Sequence, residues 1–246
     1  MRRYIVAGLL ICMFWAGGIA ISEESAPASP AKEISVKIST PKAEPQKPES
    51  PKAESPKVIK LLQPQTDKGI PLMTALKNRR TGREFSDRKL SIQVLSNLLW
   101  AAFGVNRPGT GYRTAPSAVN WQEMDIYVAL PEGLYLYDAN TSVLGQVLPN
   151  DIRALTGKQL FVKDAPVNLI YVADLSKMGR SGAEEKNFYS AADAGFISEN
   201  VYLFCASEGL STVVRGLVDR EGLAKAMNLR PEQKIILAQT VGYPKK

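Results

Sequence analysis

Residues 77–85 read KNRRTGREF, with three arginines in five positions and a threonine hydroxyl among them. Guanidinium forks match phosphate oxygens in pairs, and a nearby hydroxyl adds one more donor. The chemistry on offer is capture of a compact anion. A nucleic-acid partner is not expected, because such binders spread basic side chains over a whole face or helix. This cluster is too short to track a duplex. The remaining charge is thin: of the net +7, residues 1–60 hold nine Lys or Arg against six Glu, and the rest of the chain carries +4. A second explanation stands beside the phosphate one. Arginines after a helix can fold back on its last carbonyls, at the negative end of its dipole. The residue types alone leave the two readings even.

Two further stretches offer ligand chemistry. RTAPSAVNWQ, at 113–122, clusters Ser117, Asn120 and Gln122 before a strand-like run. Neutral amides and hydroxyls so placed suit hydrogen bonding to a polar heterocycle or a sugar-like chain, although they are also ordinary turn residues. EGLSTVVRGLVD, at 208–219, brackets a short strand with Gly209 and Gly216. The second glycine would let backbone approach a flat ligand.

The chain has no histidine. That removes Ser-His-Asp and Cys-His nucleophiles and most zinc sites, so no metal centre is expected. Cys12 lies in an apolar N-terminal run and Cys205 in a packed helix, which argues against a disulfide. Enzyme chemistry in such a chain belongs to a bound cofactor.

Several elements must position these residues. Pro71 to Arg80 predicts a short helix. Ser91 caps a second, with Val94, Leu95, Leu98 and Leu99 at helical spacing until Gly104. MDIYVAL (124–130), a PEG turn and GLYLYDA predict a hairpin. VNLIYVA (167–173) is continuous and apolar, as a buried central strand is. Tyr189 to Gly209 predicts one long helix, Ser211 to Val214 a strand, Asp219 to Met227 a capped helix, and Ile235 to Val241 a last strand. The alternation predicts an α+β domain over 61–246, built on one mixed central sheet flanked by helices.

Two segments precede that domain. MRRYIVAGLLICMFWAGGIAIS, at 1–22, has two arginines, an apolar run and closing small residues, the pattern of an export leader cut near Ala20. An uncut anchor in the inner membrane is the alternative. Either way the protein is expected outside the cytoplasm, periplasmic or in the cell envelope. Residues 23–60 repeat Pro, Lys, Glu, Ala and Ser, and no aromatic residue occurs from Ala16 to Glu84. Such a segment cannot bury enough apolar surface to order itself, and reads as an extended, disordered spacer.

RRTGREF, PSAVNWQ, the helix-to-strand run SENVYLFCASEGLSTVVRG and the closing VGYPKK occur in an order that resembles the nitroreductase family of flavin enzymes. The resemblance covers about residues 71–244. RTAPSA and the NVYL helix are most similar to the subgroup with azoline-oxidising dehydrogenases, but Val119, Asn120, Trp121 and Gln122 interrupt that subgroup's pattern, and Gly-Leu-Ser replaces Gly-Leu-Gly at 209–211. The resemblance implies an FMN-binding oxidoreductase working as a homodimer, with flavin at the subunit interface and a small-molecule substrate. It places the phosphate and ribityl chain on Arg79, Arg80, Thr81 and Arg83. Pro116, Ser117 and Ala118 would pass beside the ring, with Asn120 and Gln122 bonding its polar edge or the ribityl chain. Val214, Arg215 and Gly216 would face flavin N5, Arg215 being the one candidate for a catalytic side chain. Lys245, with Lys246, would add a basic phosphate contact. Trp121, Tyr189 and Glu199 would line the substrate side. An exported member would need an electron donor or acceptor other than NAD(P)H. The non-catalytic alternative is a tethered scaffold that keeps the flavin fold without turnover.

Overall fold

A computed structural model describes residues 57–245. The expected leader at 1–22, most of the spacer at 23–60, and Lys246 lie outside the described residues. The sheet begins at Val58, three residues before the expected domain start. Strand β1 (Val58–Lys60), an edge strand the sequence reading missed, pairs with β6 (Val143–Leu148).

Seven strands form the sheet in the order β1, β6, β5 (Gly133–Asp138), β4 (Met124–Leu130), β7 (Val167–Asp174), β9 (Gln233–Gly242), β8 (Ser211–Arg215). Every pairing within it is antiparallel, which corrects the expected mixed sheet. The reason lies in β9. Strands β7 and β8 run the same way, joined through a long helix as parallel neighbours would be. The last strand then inserts between them, antiparallel to both. A separate two-stranded ribbon joins β2 (Val105–Arg107) to β3 (Tyr112–Arg113).

β7 is buried at all eight positions, as its apolar run predicts. Leu169, Tyr171 and Ala173 face α2 (Ile92–Phe103) and α3 (Ala183–Glu208), while Ile170 and Val172 face α4 (Arg220–Ala226). Side chains alternate along a strand, so one strand feeds both cores. Helix starts follow their caps. Ser91 accepts from the Val94 amide at 3.3 Å, and Asp219 from that of Gly222 at 3.1 Å. α3 begins at Ala183, six residues before the expected Tyr189. Glu184 and Glu185 in its first turn suit the positive end of the helix dipole. It stops at Gly209, in the left-handed region at φ 66°. The stripe Ala194, Ile197, Val201 and Cys205 docks α3 on the sheet. This helix is the ruler on which the candidate site is laid out.

Candidate functional site

α1 (Leu72–Asn78) ends two residues short of the expected Arg80, because Arg79 leaves helical backbone at φ −55° and ψ 119°. The arginines therefore sit on an extended segment beyond the helix. The Gly82 amide donates to the Thr212 carbonyl at 2.9 Å, stitching this segment to β8. A Cβ at Gly82 would lie 2.0 Å from the Ser211 hydroxyl, so any larger residue would push that hydroxyl aside. Lys77, Arg79, Arg80, Gly82, Tyr202, Ser211, Thr212 and Pro244 line a cleft of about 450 Å³ here. Among the described residues no carboxylate pairs with Arg79, Arg80 or Arg83.

Tyr202, on α3, is the residue the sequence reading passed over. It sits within the quoted NVYL run, but periodicity marks it only as core. Its hydroxyl lies 3.1 Å from the Thr81 hydroxyl and accepts from the Val214 amide at 3.0 Å. Its ring lies 5.4 Å beneath the Arg79 guanidinium. One buried phenol thus fixes the arginine segment and the middle of β8. The closing motif joins them. Phe85 bridges to Pro244, Ser86 donates to the Tyr243 carbonyl, and the Lys245 amide reaches Glu84 O at 3.4 Å. The first, third and fourth motifs meet here.

The second motif lies elsewhere on the same helix. The Ala118 amide donates to Asp193 Oδ2 at 3.0 Å. Asp193 is nine residues before Tyr202, roughly 13 Å along α3 at about 1.5 Å per residue. Within the loop the polar groups hold one another. Gln122 accepts from Arg113 Nε at 2.9 Å and donates to Asn120 Oδ1 at 2.9 Å and Gly111 O at 3.2 Å. Its amide nitrogen donates to Ser117 Oγ at 3.0 Å. The Gln122 side chain expected to reach a ligand is thus engaged in the loop. Val119, Asn120 and Gln122 adopt φ 39°, 59° and 47°, which costs L-residues and most of all a β-branched one. Pro116 and Val119 are exposed. Trp121 and Tyr189 do come together, ring centroids 5.9 Å apart, while Glu199 is exposed.

Arg215 is not placed for catalysis at the cleft. Alternation along β8 turns it to the face opposite Tyr202, where it is 4% exposed. Its guanidinium donates to the Thr156 carbonyl at 2.6 Å and to Asn168 Oδ1 at 3.0 Å. Burial lowers its pKa to about 10. The side chain instead braces the 153–157 turn under the sheet. Gly216 is exposed, and an added Cβ would meet nothing closer than Leu237 at 4.0 Å, so crowding does not demand glycine there.

Beneath the 117–122 loop lies an acid that sequence reasoning missed. Glu123 is fully buried, and neither carboxyl oxygen has a hydrogen-bond donor among the described residues. Burial, then Asp193, pushes its pKa up to about 7. Only a polar residue at the first inward position before β4 hinted at it. Cys205 is buried and its thiol pushed up by burial, so it is no nucleophile. Among the described residues no cluster of three or more metal-ligating side chains occurs. The arrangement offers a cationic cleft, a strained polar loop and no built-in nucleophile.

Comparison with known proteins matches residues 76–243 to the nitroreductase family. A Methanocaldococcus jannaschii protein named as a nitroreductase is 31% identical over 157 residues, 60% of this chain and 79% of that protein. A crystal structure of a Ralstonia eutropha protein, also named as a nitroreductase, superposes with a TM-score of 0.74 at 44% identity, over 77% of this chain and 90% of that one. The NADPH:FMN oxidoreductase of Vibrio harveyi, solved with NAD+, shares the fold at a TM-score of 0.55 and 16% identity, over 71% and 69% of the two chains.

Replacing Tyr202 with Phe keeps the packing and removes both bridges, leaving the Val214 amide without its acceptor. The expected loss is about 1–3 kcal/mol in urea unfolding, with faster exchange of the Gly82 and Val214 amides. Unchanged exchange at both amides would show that the phenol does not hold the cleft together.

Proposed function

As the chain belongs to the nitroreductase family and is a flavin-dependent oxidoreductase, we propose that its cleft takes the phosphate of FMN. The observation that supports this most is that Arg79 and Arg80 line the cleft on a segment held by Gly82 and Tyr202, with Arg83 exposed beside them, and none of the three pairs with a described carboxylate. A dianion with a polar tail suits that donor set. Guanidinium forks take the phosphate oxygens, and the Ser211 hydroxyl stands beside them at the cleft wall. Lys245 is tied by its backbone to the same turn and adds a nearby ammonium. When bound, the flavin supplies hydride transfer at N5. The protein's share is to hold both reactants in register and exclude water.

The loop at 116–122 stands well along α3 from the arginines, which suits a site completed by a second copy. Exposed apolar residues support a homodimer: Leu72, Met73 and Leu76 on α1, and Phe188 and Phe196 on α3. The interrupted second motif weighs against azoline oxidation, and we assign instead a small-molecule substrate of unspecified class. The leader pattern supports a periplasmic or envelope location, with the domain held by a spacer or an N-terminal anchor. There a quinone, a protein or oxygen would replace NAD(P)H as redox partner.

Three measurements test this reading. The double variant Arg79→Ala/Arg80→Ala loses two charge-assisted contacts of about 1.5–3 kcal/mol each, so FMN affinity should fall at least about a hundredfold. Equal flavin absorbance in the purified variant and parent would refute the phosphate placement. Light scattering on the protein should give twice the chain mass, and one chain mass at micromolar concentration would exclude the dimer. Cell fractionation should find the protein outside the cytosol; a wholly cytosolic pool turning over NADPH would overturn the export reading.

A further inference from the structure

Glu123 and Asp193 meet under the 117–122 loop, away from the arginine cleft. Glu123 is fully buried just before β4, and Asp193 is 2% exposed on α3. Asp193 commits Oδ2 to the Ala118 amide at 3.0 Å. Both Glu123 oxygens lack a donor among the described residues. An ionised carboxylate so buried is costly, and a second one beside it adds repulsion. A single proton removes both penalties. It neutralises one acid and supplies the missing hydrogen bond.

We propose that Glu123 and Asp193 share one proton, and that this proton positions the strained 117–122 loop by keeping Asp193 on the Ala118 amide. The loop needs such an anchor, because three of its residues hold positive φ. Without the proton, two facing carboxylates repel and Asp193 turns from the amide.

The charges facing the pair are few. Lys177, from the turn at 175–178, is the one cation that draws the Glu123 pKa down, and it already pairs with Asp125 of β4 at 2.7 Å. Lys186 of α3 is bound to the Leu175 and Gly179 carbonyls. Arg113 is engaged with Gln122, and Asp174, whose amide bonds the Glu123 carbonyl, pairs with Arg230. Burial raises the pKa of Asp193 as well. The sign follows from these directions. A carboxyl held above its unfolded value contributes its full stability below about pH 4.5, and loses it as pH rises through about 7. The loop is therefore anchored in acid and loosened in alkali.

The test uses the protein with and without FMN, between about pH 5 and about pH 9. Infrared difference spectra of wild type should show the carbonyl stretch of a protonated carboxyl at the acidic end, lost on titration through about 7. Glu123→Gln should lack that band. Hydrogen-exchange protection of residues 118–122, corrected for intrinsic base catalysis, should fall by up to about tenfold per pH unit above 7 in wild type. It should stay level in Glu123→Gln, whose amide donates to Asp193 at every pH. A merely structural Glu123 would give no such rescue. FMN affinity should follow the same profile. Absence of the band in wild type, or parallel protection profiles in the two proteins, would overturn the proposal. Should Glu123→Gln not fold, Asp193→Asn moves the donor to the other partner and the wild-type band still decides. The role of the loop beside a flavin rests on the function proposed above. The band and the exchange profile need no cofactor, so failure to bind FMN would count against that function alone.

Discussion

Three guanidinium groups within five residues repel one another, and here no described carboxylate answers them. Arg79 is half-buried over the Tyr202 ring while Arg80 and Arg83 are exposed, where water and salt screen part of the repulsion. The fold nevertheless holds their segment there, through the Gly82 amide bonded to β8 and a phenol from α3. That local excess of positive charge is the constraint the rest of the site depends on. It makes the cleft a place where a dianion lowers the energy of the whole arrangement. Helix capping, the plainer account of the arginines, loses its geometry once α1 ends at Asn78 and the chain runs extended.

α3 turns this local device into a site. It touches the arginine segment through Tyr202 and the polar loop through Asp193, and its inner stripe locks both positions to the sheet. A long helix docked along its length behaves as a rigid spacer, so the distance between the two groups is set by residue count. The insertion of β9 between β7 and β8 serves the same end. It brings Tyr243 and Lys245 back beside the arginine turn, so the segment after β9 closes the cleft that the segment after α1 opens.

Much of this was legible in the residues. The buried run of β7, the caps at Ser91 and Asp219 and the stop at Gly209 all follow from patterns that local physics enforces. What escaped was non-local. Antiparallel insertion of β9 depends on its pairing with both β7 and β8, and no short window encodes that. β6 carries Gly145 and faces solvent in part, so its alternation is weak. Tyr202 reads as core because its ring is buried; its hydroxyl makes the bridges to Thr81 and Val214. Arg215 misled for the opposite reason. Its position on β8 is right, but strand alternation turns it to the far face, where Thr156 and Asn168 hold it.

The chain's missing histidine gives the acid pair its interest. Without imidazole, groups that change charge near neutrality must be made by burial. Among the described residues Glu123 is the carboxyl pushed up to about 7, and it lies under the loop whose backbone is strained. A surface carboxylate there would be cheaper for stability and would hold no proton at neutral pH. Burying the acid beside a second one costs folding energy, and in return fixes a backbone amide that an apolar core residue could not hold. Burial and charge separate the chemistries of the two sites. At the arginine cleft, excess positive charge awaits an anion from outside. At the acid pair, excess negative charge is answered from within, by one proton.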